Sequence, residues 1–433
     1  MQIHGWGRYP SVDSEITSPL SAKDAVTQVN RIGSLVPRGL ARSYGDSSLA
    51  DRVLETQYLN HFEAFDERSG LLTCEAGVSL DEILRVFVPR GWFLPVTPGT
   101  RFITVGGAIA SDVHGKNHHV QGTFGAHVTE LRLLLGNGEQ AVTSPTDKPD
   151  LFRATCGGMG LTGVILSATV QLKPIRSSDI VETTIKAPSL EAVLAAFNEH
   201  ESSTYSVAWI DCLARGKNLG RSLLTVGEHA ESGPLQVSPS RAITVPLDAP
   251  AFLLNSLTMR AFNSLYYAKT VRASHTRRIP FEPFFYPLDR VHDWNRLYGK
   301  PGFVQYQFML PREAGVAGLR DVLERIAASG RGSTLAVLKV FGAGNDNHLS
   351  FPGPGYTLAL DFKAEPAVFA LLDTLDRVVL DYGGRIYVTK DARMSEETFK
   401  RSYPRWQEFE SVRGKYHAFG KFASAQSIRL GLQ

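Results

Sequence analysis

The sequence predicts an α+β protein of two domains, with a boundary near residue 175 and a tail from about residue 386 that returns to the first domain. Three observations carry this. Up to residue 175, short β-prone runs alternate with glycine-rich turns and one short helix. From 176 to 385, amphipathic helices alternate with strands of period two, the pattern of an antiparallel sheet flanked by helices on one face. The tail "IYVTKDARMSEETFKRSYPRWQEFESVRGKYHAFG" is then polar and ion-rich.

The elements follow in order. "GLLTCEAGVSL" has apolar residues on both faces and ends in a turn. "DEILRVFVPRGWFLP" spaces Ile83, Leu84, Phe87 and Val88 at helical intervals and stops at Pro89-Arg90-Gly91. "HVTELRLLLGNGEQAVTS" reads as a hairpin turned at Asn137-Gly138, a pair that takes positive φ readily. "GVILSATVQLKPI" is a β-branched run ending at Pro174. In the second domain "SLEAVLAAFNEHES" is an amphipathic helix, and "STYSVAWID" and "GFVQYQFML" alternate as half-exposed strands. "EAGVAGLRDVLERIAASG" and "EPAVFALLDTLDRVVLDYGG" are helices closed by glycine, with "STLAVLKVFG" and "YTLALDF" as the strands between.

Composition excludes several classes. Forty-six basic against forty-three acidic residues give +3 over 433 residues, a balance without the charge of a dedicated nucleic-acid surface. Cys74, Cys156 and Cys212 form no CxxC pair, so neither a disulfide framework nor a structural zinc site is expected. The stretch "ITVPLDAPAFLLNSLTMRAFNSLYYA" is broken by Pro246, Asp248, Pro250, Asn255 and Arg260 and falls short of the roughly 20 apolar residues that span a bilayer. The first residues show no basic region followed by an apolar run, so no secretory signal is expected. A cytoplasmic protein, or one peripheral to the membrane, is the expectation.

The run "TVGGAIASDVHGKNHHVQGTFGAHV", residues 104–128, carries the functional question. His114 and His118 stand four apart, as two metal ligands on one helix face would. Gly115 and Gly122 disfavour that helix by about 1 kcal/mol each, and no carboxylate follows to complete a site, so no metal is expected. A phosphate cradle suits the run better, because "VPRGLARSYGDSS" (36–48) has the same character. There Gly39 and Gly45 let backbone approach a ligand, Arg38 and Arg42 bring charge, and Ser43 and Ser48 bring hydroxyls. "CGGMGLTGV" adds Gly157, Gly158, Gly160 and Gly163. Three such loops suit a long ligand with a pyrophosphate in its middle. Neither GxGxxG nor GxxxxGK[ST] is present, which leaves a flavin held by loops ahead of a Rossmann or P-loop nucleotide.

Two strand positions in the second domain stand out. Gln305 and Gln307 share one face at period two, and two amides fit an open pocket face better than a core. Lys339 sits in the apolar strand "AVLKVFG", where a pocket-facing position explains the charge.

The motifs "PRGLARSYGD", "PGTRFITVGGAIASDVHGKNHH", "GGMGLTGV", "GFVQYQF", "LKVFG" and "GGRIYVTKDAR" resemble those of the vanillyl-alcohol-oxidase (PCMH) type of FAD-dependent oxidoreductase. Within that type they are most similar to the decaprenylphosphoryl-β-D-ribose 2′-oxidase group, the flavoprotein half of a two-enzyme epimerase. The likeness runs from about residue 33 to the C-terminus. It implies an FAD domain from segments 1–175 and 386–433, with a substrate domain, 176–385, between them. It also implies that Pro37, Arg38, Gly39, Leu40, Ala41, Arg42, Ser43, Tyr44, Gly45, Asp46 and Ser47 line the FAD. Gly99, Thr104, Val105, Gly106, Gly107, Ser111, Asp112, Val113, His114, Ile165 and Tyr387 would join them. The first loop has Tyr44 and no histidine, and His114 is a pocket residue in the resembling group, so the FAD is expected to be non-covalent.

The chemistry implied is oxidation of a CH–OH group, with hydride passing to the flavin N5 while the hydroxyl loses a proton. Lys390 in "YVTKDAR" is the expected cation at flavin and substrate, against the plain alternative of a surface lysine paired with Asp391. For the proton, His114, Tyr44 and Lys390 stay open. Lys116 either meets a substrate phosphate as a point charge or is a solvated loop lysine. The resemblance alone proposes Trp209 and Tyr286 as substrate contacts. Ala359 stands where covalently inhibited members carry cysteine, and Thr357 where they carry asparagine. The implied substrate is a polyprenyl-phosphate-linked sugar, polyprenylphosphoryl-β-D-ribose oxidised at C2′, with the ketone passed to a separate NAD(P)H-dependent short-chain reductase. The alternative is a soluble polyol or aldonolactone. Residues 229–280, which mix apolar runs with Arg241, Arg260, Lys269, Arg272, Arg277 and Arg278, read either as a mobile, membrane-facing lid or as a long, partly ordered loop.

Overall fold

In the computed structural model, which describes residues 1–238, 242–250 and 254–432, the two halves of the sequence build different sheets. The N-terminal half forms a small parallel sheet of Glu15–Thr17, Arg52–Glu55 and Val36–Arg38. It also forms a five-stranded antiparallel sheet in the order Gln140–Thr143, Val128–Leu134, Val164–Gln171, Leu71–Glu75, Phe62–Asp66. The expected hairpin is there, with Gly138 at φ 85°. The expected helix spans Leu80–Phe87. Ser79 caps it reciprocally: its hydroxyl accepts from the Glu82 N–H and the Glu82 carboxylate accepts from the Ser79 N–H. Past Pro89 the chain turns through Gly91 at φ 83°.

The second half forms one antiparallel eight-stranded sheet. Its order is Ser274–Pro280, Asp179–Ala187, Ser222–His229, Tyr205–Ile210, Ala336–Phe341, Gly355–Lys363, Phe303–Pro311, Arg385–Ile386. Period two gives this sheet two unlike faces. Ala208, Leu338, Leu358, Leu360, Tyr306 and Phe308 point into a core roofed by the helices Leu190–Glu199, Gly315–Ser329 and Pro366–Asp381. The two longer helices end as expected at left-handed glycines, Gly330 (φ 68°) and Gly383 (φ 72°). Residues of opposite parity face the N-terminal half and its glycine loops.

The C-terminal chain runs back across the first half. Leu35 donates to Lys421 O at 2.9 Å and accepts from the Ala423 N–H at 3.0 Å. The Arg429 guanidinium spans Asp46 (2.7 Å) and Asp391 (2.9 Å). The glycine-rich run 104–128 contains a helix, Val105–Ala110, and a single turn, His118–Gln121, that stops at Gly122 with φ 70°. Of segment 229–280, residues 239–241 and 251–253 lie outside the described residues. The rest includes a helix, Ser256–Ala268, begun by an Asn255 cap, and the edge strand Ser274–Pro280.

Candidate active site

Between the glycine loops and the open face of the large sheet lies a cavity of about 1270 Å³. That exceeds the roughly 300–1,000 Å³ of an ordinary small-molecule pocket, so there is room for a dinucleotide-sized group and a second molecule. Its loop side is a shaped cradle. A Cβ on Gly39 would overlap Thr104 Oγ1, and one on Gly106 would stand 3.0 Å from Ala76 Cβ. The Thr104 hydroxyl is already engaged, accepting from the Gly107 N–H at 3.0 Å. Among the described residues, the backbone N–H groups of Leu40, Ala41, Arg42 and Ser43 find no protein acceptor. Donors left free along a cavity wall fit a pyrophosphate. Arg42 adds charge, its guanidinium stacked 4.0 Å over the Trp6 ring.

The sheet side supplies the polar groups. Gln305, Gln307, Lys339, Ala359, Asp361, Val337, Trp209 and Thr225 all line the cavity, because they share the parity opposite to the helix-roofed core. Lys390 enters from the turn after Tyr387 and places Nζ 3.8 Å from the Tyr44 ring centroid. Burial brings it down to about 7, with Asp361 opposing the shift and Lys339 adding to it. Asp391, the alternative partner, is taken by Arg429. Gln305 donates to Asp361 Oδ1 at 2.6 Å, and burial raises that carboxyl to about 7 against the pull of Gln305 and Lys390. Lys339, lowered by burial to about 8, reaches His114 Nδ1 at 3.4 Å, while the Gln307 amide lies 3.1 Å from Nε2.

This geometry ranks the three groups left open for the hydroxyl proton. Burial first, then Lys339, holds His114 well below the usual imidazole range, so it is neutral and a poor base. Burial, with the charge of Asp361, raises the Tyr44 phenol well above its ordinary value, which keeps it protonated. Lys390 and Asp361 are the groups poised near neutrality. Asp361 was not singled out from the sequence. The signal existed: in "YTLALDF" it shares parity with Thr357 and Ala359, as Lys339 does with Val337, and a charge in an apolar strand marks both.

Most expected site residues come together here, and several do not. Pro37 to Tyr44, Ser47, Gly99, Thr104, Gly106, Gly107, Ser111, Val113, His114, Ile165 and Tyr387 line the cavity. Gly45 does not. A Cβ there would overlap Asp391 O, so its glycine serves the close pass of the C-terminal chain. Asp46 is spent on Arg429. Val105 is core. Asp112 turns away from the cavity and accepts from Gly125 N–H (3.0 Å), Asn345 (2.8 Å), Asn347 (2.9 Å) and Ser350 (2.6 Å), holding loop 342–353 to the first half. Tyr286 is core, bonded to Thr97 Oγ1 at 2.7 Å. Thr357 lies behind Gln307, from which it accepts at 3.2 Å. Lys116 lines the cavity but is no solvated loop lysine. Its Nζ donates to Phe284 O and sits 4.3 Å over the Phe284 ring, and burial lowers it to about 7. Among the described residues no cluster of His, Cys, Asp or Glu is arranged to hold a metal.

A large antiparallel sheet facing a glycine-loop cradle is the build of a PCMH-type flavin oxidoreductase, and sequence comparison agrees. Residues 17–144 match the FAD-binding domain family. The chain is 38% identical over its whole length to decaprenylphosphoryl-β-D-ribose oxidase of Mycolicibacterium smegmatis, of which it covers 97%. It is 23% identical to L-gulono-1,4-lactone dehydrogenase of Mycobacterium tuberculosis, across 94% of this chain and 92% of that one. L-gulonolactone oxidase 5 of Arabidopsis thaliana aligns over 39% of this chain and 30% of its own length at 26% identity. The chain belongs to the family of FAD-dependent oxidoreductases that includes decaprenylphosphoryl-β-D-ribose oxidase. FAD is its cofactor, and it is an enzyme.

Proposed function

We propose that this enzyme oxidises a secondary hydroxyl of a lipid-linked sugar, C2′ of a polyprenylphosphoryl-β-D-ribose, to the ketone. One observation carries the reading: a single cavity is polar at its inner end and aromatic and basic at its mouth. The inner end presents Gln305, Gln307, Lys339, Asp361 and Lys390, which suit a sugar. The mouth presents Phe262, Tyr266, Lys269, Val271 and Arg272 from the helix Ser256–Ala268 and the residues after it, which suit a phosphate and an isoprenoid tail. The near full-length likeness to a decaprenylphosphoryl-ribose oxidase supports the same substrate. In this reading residues 1–175 and 386–433 hold FAD and residues 176–385 hold the sugar.

Bound FAD would supply a hydride acceptor, the flavin N5, whose reduction would place negative charge near N1 and the C2 oxygen. The chain's residues do the rest. Lys390 supplies the cation, and Gln305 and Gln307 orient the sugar hydroxyls. Trp209, packed 4.8 Å from Tyr266, walls the ring. The cofactor is held non-covalently, since Cys74, Cys156 and Cys212 are buried in the cores and His114 is engaged at both nitrogens. The ketone then passes to a separate NAD(P)H-dependent reductase that completes epimerisation to the arabinose form. No described helix is long and apolar enough to cross a membrane. Substrate reaches the mouth from a lipid surface, against which Leu257 and Leu265, 75% and 72% exposed, are placed to insert.

The test is an absorbance spectrum of the purified protein before and after acid precipitation, then anaerobic addition of polyprenylphosphoryl ribose. A flavin band released to the supernatant and bleached by that substrate supports the reading. Bleaching by soluble polyols or aldonolactones alone moves the substrate to that class, and flavin retained in the pellet overturns non-covalent binding.

A further inference from the structure

Three carboxylates line the cavity, and they are treated differently. Glu182 pairs with Arg277 at 2.7 Å. Asp289, only half-buried, accepts from the Arg101 backbone N–H at 2.9 Å. Asp361, 2% exposed, is held by the neutral Gln305 amide, and among the described residues no cation stands within ion-pair distance of it. A carboxylate buried without a paired cation is costly, and at a cavity wall such a group marks function. The strand ladder fixes its place, Asp361 lying opposite Gln305 one step from the Gln307–Ala359 pair.

We propose that Asp361 accepts the proton of the substrate hydroxyl while Lys390 keeps its own. The proposal rests on the oxidoreductase reading above and adds the proton acceptor. Two contacts favour the charged form of both groups before reaction. The Gln305 N–H at 2.6 Å stabilises the carboxylate, and the Tyr44 ring face at 3.8 Å stabilises the ammonium. The two charges do not touch, so a hydroxyl can sit between them. In the step, the C–H bond breaks and its electron pair leaves with hydrogen to the flavin. The O–H bond breaks and its pair becomes the second bond of the ketone, and the proton forms a new O–H bond on Asp361. A carboxylate and an ammonium before the step become a neutral acid and an ammonium beside the reduced flavin, so the site's net charge is unchanged. The other titratable neighbours are Tyr44 and Tyr298, which burial keeps protonated, and Lys339, felt by way of Lys390.

The experiment is an infrared difference spectrum of the holoenzyme, substrate-reduced minus oxidised, taken anaerobically with polyprenylphosphoryl ribose. A protonated-carboxyl C=O band is expected to appear, to shift in D2O, to move in Asp361→Glu and to be missing in Asp361→Asn. Asp361→Asn is further expected to retain FAD, to lose roughly 10²-fold in kcat/KM and to lose the acid limb of its pH profile. Flavin bleaching in the wild type without a carboxyl band overturns the proposal, as does a band that survives in Asp361→Asn. If that substrate fails to bleach the flavin, the substrate reading fails by itself, and the same spectrum with a soluble polyol as reductant then decides the role of Asp361.

Discussion

Gly39→Ala tests the cradle most directly. The new methyl would stand 3.2 Å from Thr104 Cγ2 and closer still to Oγ1, inside the distance at which something must move. Thr104 is 1% exposed and its hydroxyl caps the helix Val105–Ala110, so displacing it forfeits a cap worth about 1 kcal/mol. Overpacking of this kind costs about 1–3 kcal/mol. The loop 39–44 has its other side on the open cavity, so it is the part expected to give, and the FAD site then bears the strain. At 1.4 kcal/mol per tenfold, the Kd for FAD should rise roughly 10- to 100-fold, read by quenching of flavin fluorescence on titration into apoprotein. Thr104→Ala removes the clashing atoms, so the double variant should bind FAD within about threefold of Thr104→Ala alone, a coupling that neighbouring side chains commonly show. Unchanged affinity in Gly39→Ala, or a double variant as weak as the single one, would refute the account of the cradle.

Lys390→Met should retain FAD and slow substrate reduction of the flavin by about 10²–10³-fold, the usual cost of one lost charge-stabilising group; stopped-flow bleaching measures it. Tyr44→Phe should leave the pH profile of kcat/KM in place, because burial already keeps the phenol protonated; a shifted limb would contradict that. Lys116→Met gives the pH test of stability. Burial, opposed by Glu182, lowers Lys116 to about 7, so the folded chain holds fewer protons than the unfolded chain between about pH 7 and 10, and stability rises with pH across that window. The variant should therefore be more stable than wild type in urea at pH 7, and that gain should fade towards pH 10. Leu257→Glu with Leu265→Glu should weaken flotation with anionic vesicles while leaving turnover of a short-chain soluble analogue intact.

Much of the fold was legible because local chemistry and tertiary demand agree in it. The Leu80–Phe87 helix carries its own cap and stop, the hairpin its Asn137-Gly138, and the two longer helices over the large sheet their terminal glycines. Gln305, Gln307 and Lys339 were legible for a related reason: a polar group at the wrong parity for the core has to face something else. The failures share a cause. Gly45, Asp46 and Asp112 sit in loops that look like ligand cradles, yet their partners are Asp391, Arg429 and the loop 342–353, more than 200 residues away in sequence. A glycine needed for chain crossing and a glycine needed for a phosphate look the same in one dimension. Tyr286 failed in the same way, since nothing near it in sequence announces Thr97.

The large sheet explains why the site tolerates so many charges. Its helix-roofed face buries Leu338, Leu358, Leu360 and Phe308, none more than 1% exposed, and that packing fixes the register of every strand. With register fixed, the opposite parity is free to hold Lys339, Asp361 and the two glutamines, whose desolvation works against stability. A one-residue slip of Gly355–Lys363 would carry Asp361 into the apolar core and Leu360 into the cavity. The apolar face therefore penalises every arrangement except the one in which Asp361 meets Gln305 and looks towards Lys390.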